Sequence, residues 1–476
     1  MTLCAAVLVA ATFTRSLERV STLEPSMART LYDSHAIQLV CEPPLAVDYK
    51  ARPYRLVPGA CELPEIGEDG RVCRFRMREG RAAGDFVRAL DALADPACPN
   101  GWIMKDIVSY AAVPGANAVE IRLRRRVAYF PWLMAMASVA LRGEDGEGTG
   151  PYRLTYWRKN HMMVFTRRTP VADGFDTVRY LVVDDLSTQW LMFLRGELDF
   201  LGEVSRDNWD AVVGADGKLD PSLVARGFRL HSMPTLDVMH VGVNMRDPVL
   251  GPNRKLRQAL NAAFDFPTWA AFYNNRIVAC DGPVPHGVPD RLETPFAYRF
   301  NLEKARQLLA EAGYPGGVDP KTGRRLVLSL SIGRPDQASR EAGELMASFY
   351  AKVGIKLELD FQTWDAFLKA VNEARVQLFR MGWVGDYPHA QNFLQLFYSP
   401  NAAPGINHAN YANAEFDAAY EREDWRRCQE IVREDCPWIF THFNIAYSLT
   451  GPRVGNYVPS DFPHGNEQFY TVRSER

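Results

Sequence analysis

Two strand-like runs, Arg325 to Ser331 and Ile355 to Leu359, stand on either side of a helical stretch from Ala338 to Val353. A strand, a crossover helix and a second strand suit a parallel sheet, which commits the later part of the chain to an α/β lobe. In such sheets ligands lie in crevices beyond the carboxyl ends of the strands. The residues that follow those ends are therefore the first place to look for function.

Helical content is high from residue 237 onward. Lys255 to Phe264 spaces Leu256, Ala259, Leu260 and Ala263 along one face, and Asn301 opens a helix that stops at Gly313 before Tyr314-Pro315. The first third mixes short strands with turns. Cys73 to Arg78 alternates apolar and basic residues, as does Val119 to Arg124, and both read as half-exposed strands; the basic run to Arg126 reads as a solvated edge. Gly84-Asp85 opens a helix through Leu93, and Leu186 to Leu194 forms another, capped by Gly196. The Gly-rich turn Gly148-Thr149-Gly150-Pro151-Tyr152 is not a phosphate loop. No Lys-Ser/Thr follows it, Pro151 removes a backbone donor, and a strand comes next.

Composition excludes several classes. At 47% hydrophobic and 24% charged residues, the 476-residue chain has enough apolar material for a sizeable core and is not disordered. Fifty-five Lys and Arg against 57 Asp and Glu leave no basic excess for a phosphate backbone, so no nucleic-acid partner is expected. No run of about 18 apolar residues crosses a membrane. The apolar segment Cys4 to Ala11 lacks a preceding basic residue and a clear cleavage site, so it reads as a strand around Val7, Leu8 and Val9, continuing into Thr12 and Thr14, rather than as an export signal. Eight cysteines form no CxxC pair and read mostly as buried thiols. Nine scattered histidines show no metal-ligand spacing, so neither metal nor cofactor is expected. HExxH, GxSxG, Walker A and GxGxxG are absent in the context each requires, which leaves only a hydrolase with dispersed carboxylates on the enzymatic side.

The densest remaining stretch runs from Phe361-Gln362-Thr363-Trp364 to Arg380-Met381-Gly382-Trp383-Val384-Gly385-Asp386. Trp364, Arg380, Trp383 and Asp386 fall at strand ends or on a Gly- and Pro-containing loop, where they would face a cleft. A carboxylate among aromatic rings needs a cation. A ligand ammonium group would supply one, and tryptophan faces would add cation–π attraction. The same residues would also serve as an internal salt bridge or turn cap at Asp386 and as plain core at the two tryptophans.

Motifs spread along nearly the whole chain resemble the family 5 extracellular solute-binding proteins, receptors of peptide and related ABC importers. Leu23-Glu24-Pro25 is similar to the family's Leu-Asp-Pro turn. Leu56 to Ala60, Asp69-Gly70 and Phe75 to Gly80 are similar to its next run, with Ala60-Cys61 in place of Leu-Ala. Ala83 to Val87 matches its first helix in that region, Gly148 to Tyr152 is its GTGPY signature, and Arg195 to Asp199, Val243-Asn244, Leu256 to Leu260 and Ala305 to Tyr314 follow in order. His389-Ala390 replace an acidic-Pro pair, Val384 stands where some members carry a disulfide cysteine, and the stretches 106–143 and 414–435 are shorter than usual.

The resemblance implies an α/β, two-lobed periplasmic-binding-protein-like fold of type II, cluster C. Lobe I would comprise 1–42, 140–236 and 453–476, with a subdomain inserted at 43–139, and lobe II would span 237–452. It also implies a non-enzymatic, extracytoplasmic, monomeric receptor that encloses short peptides by hinge closure, needs no cofactor and hands its ligand to importer permease subunits. By the same resemblance, the Trp-x-x-Asp motif of Trp383 and Asp386 holds the ligand's α-amino group, with Gly382 beside it. Trp364 walls a side-chain pocket and Arg380 meets the ligand's carboxylate. A same-fold receptor for an oligosaccharide, an opine-like compound or a chelated metal is the alternative, and a sensory role is compatible with the same fold.

Overall fold

The computed structural model describes residues 11–204, 208–214, 217–462 and 464–473. The strand expected at Val7 to Val9 lies outside the described residues; the first strand described is Thr12–Ser16. The chain divides into two compact units, Met1–Met233 with Ala446–Arg476, and Pro234–Ile445. It passes from one to the other within the strand Arg229–Pro234 and back within the 13-residue strand Trp438–Thr450.

In the second unit the strand Val327–Ile332 lies parallel to Lys356–Phe361 on one side and to Leu378–Val384 on the other. Asp237–Val243 then pairs antiparallel with Leu378–Val384 and with the first part of Trp438–Thr450. The crossover helix is Gln337–Ala351, whose first turn is held by Asp336 accepting from the Ser339 N–H at 2.8 Å. Gly354, at φ 87°, takes the left-handed conformation in the turn from the helix into the next strand. Leu328, Leu330 and Ile332 point at the helix, where they share a core with Met346, Phe349 and Tyr350. The intervening Ser329 and Ser331 take the other face by strand alternation. Because the three parallel strands run the same way, Gly333, Gln362 and Gly385 all leave one edge of the sheet, and the site residues lie there.

In the first unit Thr12–Ser16 pairs in parallel with Thr177–Leu181, followed outward by the antiparallel Met162–Arg167 and Tyr152–Arg158. Phe13, Phe165, Phe175 and Tyr180 fill its core. The C-terminal segment closes this core, with Tyr470 edge-on to Phe13 and Glu467, fully buried, paired to Arg15 at 2.9 Å. The turn Gly148 to Tyr152 leads into a strand, as expected. Its glycines are steric: a Cβ on Gly148 or Gly150 would collide with the backbone around Val40. Thr149 accepts from the Glu42 N–H and donates to the Leu141 carbonyl.

A separate four-stranded sheet, ordered Glu65–Ile66, Val72–Arg76, Ala118–Leu123, Ile107–Ala112, packs with the helix Ala83–Ala94 through Phe75 and Phe86. Its outward arginines are neutralised locally, Arg74 and Arg122 by Glu120 and Arg76 by Glu65, and just past the strand Ala118–Leu123 Arg125 pairs with Asp106. That agrees with a solvated charged face. Seven cysteines are described; all are free, and all but Cys98 are buried.

Candidate functional site

The site begins where the parallel strands end. After Phe361 the chain turns through Gln362-Thr363 and starts the helix Trp364–Asn372, so Trp364 occupies the first helical position. There it is 52% exposed and leans on Phe367, with ring centroids 5.6 Å apart. Phe367 anchors this end through a small core with Val371, Val376 and Phe379. Gly333 makes the approach possible, since a Cβ there would press on the rings of Phe367 and Trp364. Trp364 is thus a supported, solvent-facing ring and not core.

The strand Leu378–Val384 carries three of the candidates. Successive residues alternate faces, so Arg380 and Gly382 point one way while Phe379, Met381 and Trp383 point the other. The sequence had grouped Arg380 with Trp383 as one constellation; the pleat separates them. Arg380 donates to the Tyr273 hydroxyl at 2.9 Å and lies over the Trp269 ring at 5.7 Å. Its charge is felt by Asp336, whose carboxyl it helps to lower, but among the described residues no carboxylate forms an ion pair with it. Trp269 in turn donates its indole N–H to His442 Nδ1 at 3.2 Å. Burial, and then the Arg380 charge, push His442 down to about 3, so it is a neutral acceptor. Gly382 has a packing role: a side chain at this position would overlap the Met239 thioether.

Trp383 and Asp386 are joined through a residue that the sequence did not single out. Asn392, fully buried in the short helix Ala390–Leu394, accepts from the Trp383 indole N–H at 2.9 Å and from the Asp386 backbone N–H at 3.2 Å. It also donates to Asp386 Oδ2 at 2.9 Å. Asp386 is accessible to solvent but crowded by protein, and desolvation raises its carboxyl above the ordinary value while the Asn392 bond opposes the rise. No cation among the described residues pairs with Asp386, so it is not an internal salt bridge. The only signal for Asn392 in the sequence was an amide directly before the apolar pair Phe393-Leu394, where a buried amide must find partners.

His389 and Ala390, which depart from the usual acidic-Pro pair, start this same helix. His389 Nδ1 accepts from the Gln391 N–H at 3.1 Å, and burial lowers His389 to about 4, so it caps as a neutral ring. A separate polar cavity of about 470 Å3 lies against the Trp364 helix, lined by Ser331, Asp360, Gln362 and Lys369 among others and by none of Trp364, Arg380, Trp383 and Asp386. Among the described residues no group of three or more His, Cys, Asp or Glu side chains is placed to hold a metal ion. No helix among them is long and apolar enough to cross a membrane.

Comparison with known proteins places this geometry in context. The family model of the bacterial extracellular solute-binding proteins, family 5 Middle, matches residues 55–405. Heme-binding protein A of Haemophilus influenzae is 25% identical, over 90% of this chain and 85% of its own length. The dipeptide-binding protein of Escherichia coli is 22% identical, over 94% of this chain and 91% of its own. Among solved structures, HbpA2 from Haemophilus parasuis superposes with a TM-score of 0.84 at 20% identity, covering 97% of this chain and 100% of that one.

Proposed function

The chain belongs to the family 5 bacterial extracellular solute-binding proteins, and from that premise we propose that it is an extracytoplasmic receptor that captures short peptides and delivers them to an ABC importer. The observation that carries the peptide assignment is Asp386. It is an accessible carboxylate, fixed next to a tryptophan and left without a cation of the protein's own. Water leaves such a group charged at modest cost, but closing a ligand over it requires a positive partner. The α-ammonium of a peptide is a compact cation with three donors, one for the carboxylate and others for nearby acceptors. Arg380, half-buried and held by the Tyr273 hydroxyl and not by a close ion pair, is the complementary candidate for the far end of the ligand. Trp364 offers an open ring against which a side chain can pack. The name of the Escherichia coli relative as a dipeptide-binding protein supports the same reading.

In this role the protein binds without turnover, acts as a monomer, and docks to permease subunits. Isothermal titration calorimetry with a mixed library of short peptides tests it. Binding and a raised melting temperature are expected, and a folded protein that binds none of them at high concentration refutes the peptide assignment. Asp386→Ala is expected to weaken free-amine peptides by about tenfold or more while leaving N-acetylated ones nearly unchanged, on the scale of a lost charged hydrogen bond. Equal losses for both would make Asp386 structural.

A second reading, a receptor for a non-peptide solute such as heme, is favoured by the name of the Haemophilus influenzae relative as a heme-binding protein. A Soret titration separates the two: saturable heme binding that peptides do not displace would support it.

A further inference from the structure

Among the described residues, every hydrogen bond made by the Asn392 side chain goes to Trp383 or Asp386. Its orientation is set by chemistry, because the carbonyl oxygen meets two N–H donors and the amide nitrogen meets a carboxylate oxygen. A fully buried amide committed in this way ties ring and carboxylate to one rigid point, and it does so on the short helix behind them and not on the loop that carries Asp386. We propose that Asn392 is the positioning residue for recognition of a primary ammonium group: it fixes Asp386 beside Trp383 and keeps the carboxylate charged, so that both meet the ligand as one preformed unit.

The proposal rests on the peptide-receptor reading and adds a residue to it. Two physical effects follow. Holding the carboxylate in one rotamer removes the ordering cost that a free aspartate would meet on binding. Donating to the carboxylate stabilises its charged form against the desolvation that otherwise favours protonation. The titratable groups around Asp386 leave this balance to Asn392. Tyr387 and His389, its neighbours in the chain, are buried, and His389 stays neutral above about pH 4. On the adjacent strand, Asp237 is engaged by Asn444 at 2.8 Å, and Arg380 leaves its strand from the opposite face.

The test uses the full chain, with trialanine and N-acetyl-trialanine as probes, titrated by calorimetry between pH 4 and 8. The Asp386 carboxyl carbon is followed by NMR in the ligand-free protein, with Asp386→Asn for assignment. Asn392→Ala is expected to raise the Asp386 titration midpoint by about one pH unit, the scale of one lost hydrogen bond to the charged form. The pH dependence of trialanine affinity should move with it, and N-acetyl-trialanine should not respond. Asn392→Asp, nearly isosteric, guards against simple misfolding and should raise the midpoint further, because two adjoining carboxyls share a proton. If Asp386→Asn abolishes trialanine binding while both Asn392 variants, folded, leave the midpoint and the trialanine profile in place, the positioning role is overturned and the peptide reading stands. If Asp386→Asn leaves trialanine binding intact, the amine anchor fails and the role of Asn392 falls with it.

Discussion

Gly150 shows how a single missing side chain can position an element. A Cβ here would lie 2.6 to 2.8 Å from backbone atoms of Leu39, Val40 and Cys41, none of which can rotate away. Gly150→Ala is therefore expected to destabilise the protein by about 1 to 3 kcal/mol, as overpacking does, with urea unfolding as the measurement. The sequence showed this motif as a signature but not its reason, since a close backbone approach leaves no trace except the glycine itself. The candidate site divides in the same way. Trp383 and Asp386 were legible because they stand three residues apart on a turn-rich stretch. Asn392 was not, because its importance lies wholly in three hydrogen bonds made by a buried side chain. Arg380 was legible only as a residue near a strand end, and its face of the sheet follows from strand register, which periodicity fixes only once the strand's neighbours are known.

Among the elements, those with strong periodicity were read almost to the residue. The helix expected at Leu186 to Leu194 is present with those bounds, and the crossover helix expected at Ala338 to Val353 runs Gln337–Ala351. Both have an aspartate N-cap, Asp185 and Asp336. For the crossover helix the cap has a larger consequence than its own bond, because this helix covers the face of the parallel strands behind the site. Asp336→Ala is expected to cost about 1 kcal/mol in chemical denaturation, with little change in peptide affinity. A large loss of affinity would mean that the helix terminus communicates with the site. What periodicity did not reveal is the order of strands. The neighbours of Leu378–Val384 are Val327–Ile332 and Asp237–Val243, the latter more than 130 residues earlier in the chain, a pairing that no local window can report.

At the scale of the whole molecule, buried neutral histidines set the response to acid. His240 and His442 are lowered to about 3 and His389 to about 4, all chiefly by burial. Their ordinary value in an unfolded chain is near 6.5. The unfolded chain therefore binds more protons than the folded one between those limits. Stability is full above about pH 6.5 and is lost as the pH falls toward 3, by about 1.4 kcal/mol per pH unit for each histidine. Urea midpoints should be level from pH 7 to 8 and fall steeply from pH 6 to 4; a flat profile across that range would contradict the buried neutral state. The division of the chain into units has a consequence of another kind, in the order of synthesis. The second unit is one continuous stretch, so all of its own residues are present as soon as Ile445 has been added. The first unit is not: Arg15 and Phe13 are made early, while Glu467 and Tyr470, which cover them, arrive only after the roughly 210 residues from Pro234 to Ile445. At roughly 5 to 20 residues per second that interval is about 10 to 40 s. Through it the earliest-made half of the receptor waits with an unpaired guanidinium and an open aromatic core, and that is where a nascent chain of this protein most needs a chaperone.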